Sequence, residues 1–505
     1  MLFLTVFENN IPDTSAALPG PKFACAAVQR AQLGPRLRGD DVSTYLANMR
    51  RPMAVSLFDT LLSTPDMIAA FDDAALIQAM LDFEAALAAA QADEGLLPRH
   101  AAQAIAAACR ADRFDIPALV TAGRRSGTLA VPLVKELTRL VAETDQEAAS
   151  LVHWGSTSQD VQDTAMVLVT RTALRLLDAD LAALCRRLLA LGESHLATPV
   201  LARTLLQPAQ VTGFGFKVTG WLAPLVRARA RLRAAAGDAL QLQLGGAVGT
   251  LAVMGERGPA VAHRMAQALD LKTPAATWHT QRDEWVRLGL EVALLTGSLG
   301  KIAADLALMA QGEVGELAEP SGGGRGGSSA MPHKRNPVSS MIALAAATRT
   351  PQHAATLLAA MGQQHERGLG NWQAELAEWP TLFLSAHGAL RALNDAFAGL
   401  TVDTSRMRAN IDALHGLVAA EALSIWVAGA IGRPAAHAAV EKMTQTAVAV
   451  GRHLRDVARD AIAADPTLGS LDTNELGALF DPVAATEPAQ RLARARLAAL
   501  KKDIA

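Results

Sequence analysis

Between Val161 and Leu191 the chain contains neither glycine nor proline, and no other feature constrains its architecture as much. A stretch with no helix-breaking residue predicts one continuous helix, roughly 45 Å long at about 1.5 Å per residue. A helix of that length needs long partners to bury its apolar side. Trp285 to Met309 offers one: its apolar residues face nearly every direction, which marks a helix enclosed by others, and Gly289, Gly297 and Gly300 would admit close neighbours. From Asp72 to Gly95, Leu76, Met80, Phe83 and Leu87 recur at the spacing of an amphipathic helix. Aromatic residues make up only 4% of the chain, and an Ala- and Leu-rich sequence favours helix over strand. The expected fold class is all-α, with a long central helical bundle completed by other copies of the chain. No internal repeat of fixed period points to a helical array instead.

The 505 residues are too many for one core and suggest about three domains. A formal charge of −2 argues against a nucleic-acid partner, so an anionic ligand would be held by local charge. Cys25, Cys109 and Cys185 are few, odd in number and far apart, which fits neither a disulfide framework nor a thiolate metal site and suits a reducing cytoplasm. His365-Glu366 is followed by Arg367-Gly368-Leu369, not by the second histidine of a zinc-protease helix. No metal and no cofactor is expected. Charges interrupt the apolar stretches before the roughly 18 residues of a membrane span, and no membrane partner is expected.

The densest chemistry lies in Gly326 to Pro337, GGSSAMPHKRNP, preceded by Ser321-Gly322-Gly323-Gly324-Arg325. The glycines give this segment freedom to fold over a ligand and release it, which would bring Ser328, Ser329, Lys334 and Asn336 onto a substrate. A solvated Gly/Ser linker has no use for Met331, Pro332 and Asn336 at fixed offsets from a lysine. No Gly-Lys-Ser/Thr follows the glycines to make a phosphate loop. GSSAMPHKRNP resembles, nearly residue for residue, the signature loop of the fumarase/aspartase superfamily. The resemblance implies a three-domain fold and a homotetramer, whose central helices form a common core and whose active sites each draw on three chains. On that plan residues 53–160 form an N-terminal helical domain, 161–400 the bundle with a mobile catalytic loop at 320–337, and 401–505 a C-terminal helical domain.

Residues 1–52 read as an extension, poorly ordered or not native. MLFLTVFE lacks the basic start of a secretory signal. The arginines at 30, 36, 38, 50 and 51 suggest an organellar transit segment, which Asp40 and Asp41 weaken. The other explanation is a start of translation at Met49 or Met53, because SLFDTLLSTPDM from Ser56 resembles the usual opening of one superfamily branch.

His153-Trp154-Gly155-Ser156-Thr157-Ser158-Gln159-Asp160 immediately precedes the long helix. Thr157, Ser158 and Asp160 are good N-cap residues, and the free N–H groups of a helix start attract anions. The block resembles the superfamily's H-x-G-x-T-S-x-D element, which contacts substrate carboxylates. A third superfamily block, R-T-H-x-Q, supplies a histidine that protonates the leaving group, supported by a glutamate in the helix after the loop. Here that block is Arg203-Thr204-Leu205-Leu206-Gln207, and the glutamate position is Met341. Both halves of the pair are apolar. Hydroxide and amine leaving groups need protonation; a carboxylate, whose acid has a pKa of about 4, does not. The two departures point away from fumarase, aspartase, and the argininosuccinate and adenylosuccinate lyases, and toward the cycloisomerase branch that forms lactones from muconates. SGTLAVPLVKEL from Ser126, LQLGGAVGTL from Leu242, WHTQRD from Trp278 and QQHERGLGNWQAE from Gln363 resemble that branch as well.

The resemblance implies a small tricarboxylate substrate. By analogy Ser328 is the proton donor to carbon, with Lys334, Asn336 and loop N–H groups stabilising its oxyanion. By motif position His153, Thr157, Ser158, Gln243, Gln281, Arg282, Ser329 and Met331 bind substrate. Plainer readings exist: Thr157 and Ser158 as caps, Gln243 as a helix-end residue, Arg282 beside Asp283 as a surface ion pair worth little. Arg203 reads as structural, and Arg367 is assigned no role. Two other functions fit the same fold. One is a carbon–nitrogen lyase of the adenylosuccinate or argininosuccinate type, taking its histidine from elsewhere, with His153 a candidate. The other is a crystallin-like structural protein that has lost catalysis, against which the presence of Ser328, Lys334 and Asn336 stands.

Overall fold

The structure, a computed structural model, describes residues 56–504; the expectations for residues 1–52, with the alternative starts at Met49 and Met53, lie outside the described residues. Helix α1, Asp73–Asp93, begins where the Asp72 carboxylate accepts the Ala75 N–H at 2.7 Å. Helix α2, Ser158–Ser194, is longer than the glycine-free run that announced it. It starts earlier because Asp160 turns back to accept the Thr157 N–H at 3.0 Å, and it continues through Gly192, over which Leu497 packs. Next come strand β1, Pro199–Thr204, and strand β2, Gln207–Gly213, an antiparallel hairpin in which Thr204 faces Gln207.

The bundle is completed by α3, Phe214–Ala239, α4, Asp283–Met309, α5, Val338–Ala360, and α6, Asn371–Ala398. A second short antiparallel pair, β3 Leu317–Ala318 with β4 Thr401–Val402, flanks the segment between α4 and α5. These two pairs are the strands that interrupt an otherwise helical fold among the described residues. Helix α2 packs on α1, α3 and α6, while α4 packs on α3, α5 and α6. One cluster fixes three of them: Trp285 of α4 stacks on Trp379 of α6 at 3.9 Å, and the Trp379 indole N–H donates to Thr170 of α2 at 2.8 Å. Burying two indoles with their polar atom satisfied gives a large apolar gain without a desolvation penalty.

Close approach of α4 to α5 depends on glycine. A Cβ at Gly300 would stand 2.5 Å from Ala347 Cβ, and one at Gly289 would stand 2.7 Å from Leu357. Gly297 departs from the expectation. It meets nothing and instead lines an apolar groove of about 710 Å³ with Leu294, Ile302, Gly220, Pro224 and Pro351. Helix α4 is also less interrupted by charge than the sequence reading held, being long and apolar enough to cross a membrane by length and composition. Its Glu291 is nevertheless paired to Arg231 at 2.8 Å and its Lys301 to Asp305, and half of its most apolar window is buried.

The core divides in two. The larger cluster runs through the bundle, and a smaller one gathers Leu423, Val427, Val440, Met443, Leu454 and Leu476. Helix α7, Glu487–Ile504, packs with the larger cluster rather than the smaller one. Its Leu497 and Ile504 pack in the larger one, and the Ile504 carbonyl accepts from Arg229 of α3 at 3.1 Å. The reason is an apolar stripe at Ala493, Leu497 and Ile504 that matches the space left above Gly192.

Candidate active site

The Gly-rich segment between β3 and α5 is a loop tied at its base. Glu319, just before it, accepts the N–H groups of Ser339 and Ser340, both at 2.9 Å, and the Ser340 hydroxyl at 2.7 Å. One carboxylate thus satisfies the orphan donors that begin α5 and joins the two stems. Arg325 adds a bond to the Ser339 hydroxyl. Higher up, the Asn336 N–H donates to the Gly326 carbonyl at 2.8 Å. Gly326 has a φ of 68°, and a Cβ there would strike the Asn336 carbonyl, so only glycine fits this pinch.

Above the pinch, half-buried Ser328 accepts the Met331 N–H at 3.1 Å and, more weakly, the Ala330 N–H at 3.4 Å. Those donors would stabilise negative charge on the Ser328 oxygen. Ser329, Met331 and Lys334 are exposed, and Asn336 is half-buried. Among the described residues the Lys334 ammonium makes no hydrogen bond or ion pair to Ser328. In this conformation the loop presents its polar groups to solvent.

His153, Thr157 and Ser158 come together at the start of α2, each partly exposed. His153 has a φ of 60°, a costly conformation outside glycine. Its Nδ1 lies 2.6 Å from Glu84 Oε1 and 2.9 Å from Ser156 Oγ. Burial alone would lower its pKa, but the charge and hydrogen bond of Glu84, aided by Asp160, outweigh burial and hold it above the ordinary value. Asp160, fully buried, accepts from the N–H groups of Thr157, Gly245 and Gly246 and pairs with His279 Nε2 at 2.7 Å. That carboxylate binds three separate segments into one wall. Arg367, given no role by the sequence, reaches the same wall: its guanidinium donates to Gln159 Oε1 at 3.2 Å and to the Ala247 carbonyl at 2.9 Å. Both acceptors are neutral, so its charge remains available to an anion.

Two expected substrate contacts are instead interior. Arg282 is 2% exposed and held between Asp163, at 2.8 and 3.1 Å, and Glu375, with its face 4.4 Å over Trp278. It is neither a free cation nor a surface ion pair, because two carboxylates already occupy its donors. Gln243, fully buried, donates to Asp163 at 3.2 Å and accepts the Trp278 N–H at 3.2 Å. Burial pushes the Glu375 carboxyl above its usual range even beside Arg282. Gln281 is exposed.

The subunit therefore holds two groups of candidate residues, one on the loop and one at the start of α2. Among the described residues no hydrogen bond or ion pair joins them. Leu205 and Leu206 stand at a third place, the tip of the β1–β2 hairpin, 96% and 73% exposed, and Met341 lies exposed on the first turn of α5. Close to that tip, Arg203 donates to both Glu316 oxygens at 3.1 and 2.9 Å. Among the described residues no cluster of three or more His, Cys, Asp or Glu could hold a metal ion.

A lyase family model matches residues 61–350. The chain belongs to the fumarase/aspartase superfamily. A superfamily relative, the 3-carboxy-cis,cis-muconate cycloisomerase of Bradyrhizobium diazoefficiens, is 48% identical over 92% of this chain and 100% of its own length. The nitrosuccinate lyase of Streptomyces davaonensis is 42% identical over 82% of this chain and 88% of its own. Among solved superfamily structures, the 3-carboxy-cis,cis-muconate lactonizing enzyme of Pseudomonas putida superposes with a TM-score of 0.83, at 42% identity, covering 89% of this chain and all of that one.

Proposed function

We propose that this chain catalyses the lactonisation of 3-carboxy-cis,cis-muconate to 4-carboxymuconolactone, a step of protocatechuate breakdown toward β-ketoadipate. The observation that carries the reading is the pairing of an intact proton-handling loop with apolar residues, Leu205 and Met341, at both positions of the leaving-group acid. One carboxylate oxygen of the diene adds to the alkene carbon β to a second carboxylate. Charge moves onto that second carboxylate as an aci-carboxylate, and its α carbon takes a proton from the Ser328 hydroxyl. The resulting alkoxide is held by the Met331 and Ala330 N–H groups already placed on it, and by Lys334 and Asn336 when the loop closes; solvent then returns the proton. In the reverse direction the leaving group is a carboxylate, a weak base that departs without an acid.

The α2 wall supplies the anion site. His153, Thr157 and Ser158 hold one carboxylate, Arg367 takes the place expected of Arg282, and Gln243 and Arg282 stiffen the wall from behind. Gln281, Ser329 and Met331 complete the contacts around the substrate. On this reading the loop, the α2 wall and the hairpin tip, which no hydrogen bond or ion pair joins among the described residues, form a working site together with other copies of the chain. Superfamily members are oligomeric, and the groove along α4 is the surface a homotetramer would cover. The assembly is a cytoplasmic enzyme that uses no resident cofactor.

A second reading has specific support in the nitrosuccinate lyase relative. Elimination from a nitrosuccinate releases nitrite, which, like a carboxylate, is a weak base and needs no acid at position 205. The purified protein separates the two. Loss of conjugated-diene absorbance from 3-carboxymuconate, with little from muconate lacking the 3-carboxyl group, supports lactonisation; nitrite release from nitrosuccinate without diene loss overturns it.

A further inference from the structure

Glu84 lies in the middle of α1, 1% exposed, far from any motif that suggests chemistry. A lone carboxylate so deeply buried is costly unless paired. Among the described residues its single hydrogen-bonding partner is His153: Oε1 meets Nδ1 at 2.6 Å, while Oε2 has no partner there. A purely structural carboxylate would use both oxygens, as Asp160 and Glu319 do. The Nδ1 proton, shared between Glu84 and the Ser156 oxygen, leaves Nε2 as the other donor of the ring. Nε2 makes no hydrogen bond among the described residues, and the side chain keeps 18% of its surface accessible.

We propose that Glu84 is a positioning residue that keeps His153 doubly protonated and fixes its ring, so that the Nε2–H presents a full positive charge to a substrate carboxylate. The inference rests on the reading of the α2 wall as the carboxylate site. The charged groups that act on the ring are Glu84 from α1 and Asp160 from α2. His279 lies on the far side of Asp160, and Arg367 lies across Gln159. Asp160 is already committed to four donors, so Glu84 is the group that holds the second proton on the imidazole. The raised pKa of His153 agrees with this arrangement.

The test is the pH dependence of KM for 3-carboxymuconate in the wild type and in the isosteric Glu84→Gln, with Glu84→Asp as the conservative variant. The wild type is expected to hold its KM through neutral pH. In Glu84→Gln the ring loses its proton at lower pH, so KM should rise about tenfold near pH 8, the effect of one charge-assisted hydrogen bond. It should approach the wild-type value near about pH 5.5, where a free imidazole is protonated. kcat at saturation should change little, and Glu84→Asp should restore part of the profile. A Glu84→Gln profile parallel to the wild type at every pH overturns the proposal. Should that variant fail to fold, the wild-type profile decides: a rise in KM at or below the ordinary imidazole range overturns it. His153→Gln separates the two layers, since a KM unchanged by that substitution removes the α2 wall as the carboxylate site whatever Glu84 does.

Discussion

Leu205 and Leu206 sit side by side at the two turn positions of the β1–β2 hairpin, with φ values of 52° and 65°. A two-residue hairpin turn demands this left-handed backbone, which glycine or asparagine meets easily and leucine does not. Two adjacent leucines held there, both in solvent, mark a position kept for its side chains rather than for its turn.

Leu205→His restores the superfamily's acid position, and it should leave lactonisation no faster. The measured quantity is kcat/KM for 3-carboxymuconate. A clear gain would show that the carboxylate does need protonation and would remove the argument from leaving-group basicity.

Ser328→Ala removes the proposed donor and nothing that holds the fold, since its partners are loop N–H groups free to turn to water. Turnover should fall by on the order of 10³-fold or more, with helix content and assembly size unchanged in circular dichroism and sedimentation. Near-normal activity would take Ser328 out of the chemistry.

Arg282→Met strips the counter-charge from Asp163 and Glu375 inside the protein. The expected loss is about 3–5 kcal/mol of stability, read from urea denaturation. Glu375 has a raised folded pKa, so it binds its proton more tightly folded than unfolded. Its favourable contribution is present at acid pH and lost as pH rises through the folded value. The damage should therefore be smaller near about pH 5 than near about pH 8; equal damage at both would contradict the upward shift of the Glu375 carboxyl.

Asp178 joins α2 to Arg229 and Arg233 of α3 at 2.8 Å each. Burial alone would raise its pKa, but the hydrogen bonds and charges of the two arginines bring it down to about 2. A depressed carboxylate stabilises the fold above its unfolded pKa, and that contribution is lost as pH falls through the folded value. Asp178→Asn should remove part of the loss of melting temperature in acid and leave a shallower slope there. An unchanged slope would mean that the arginines turn to solvent.

Gly300→Ala and Gly297→Leu should part company, although both lie on α4. The first forces a methyl into Ala347 and should cost about 1–3 kcal/mol of subunit stability. The second fills open groove, leaves helix content intact and should shift sedimentation toward smaller species. A full-size assembly from Gly297→Leu would place the contact between copies elsewhere.

The bundle was legible because glycine, proline and apolar period act locally: the run from Val161 to Leu191 announced α2, and Trp285 to Met309 announced α4. Gly297 was misread because sequence shows that a residue is small, not which neighbour it faces. The candidate site was legible as a set of residues and much less so as geometry. The loop string named Ser328 and Lys334, and the α2 block named His153. Arg282 looked like a spare cation because its partners, Asp163 and Glu375, lie 119 and 93 residues away. Glu84 gave no signal at all, being one of four acids in a largely apolar helix, and its meaning depends on His153 across the fold. Arg367 could have been suspected, since a cation in a Gly-bounded loop with no acidic residue between Glu366 and Glu375 has little local employment.

The tie between Gly326 and Asn336 has a mechanical consequence. It makes the segment above it a closed ring carried on two stems, so that in the proposed closure its serine and its lysine would move together. In the proposed mechanism, sealing the chamber and arming it would then be one motion.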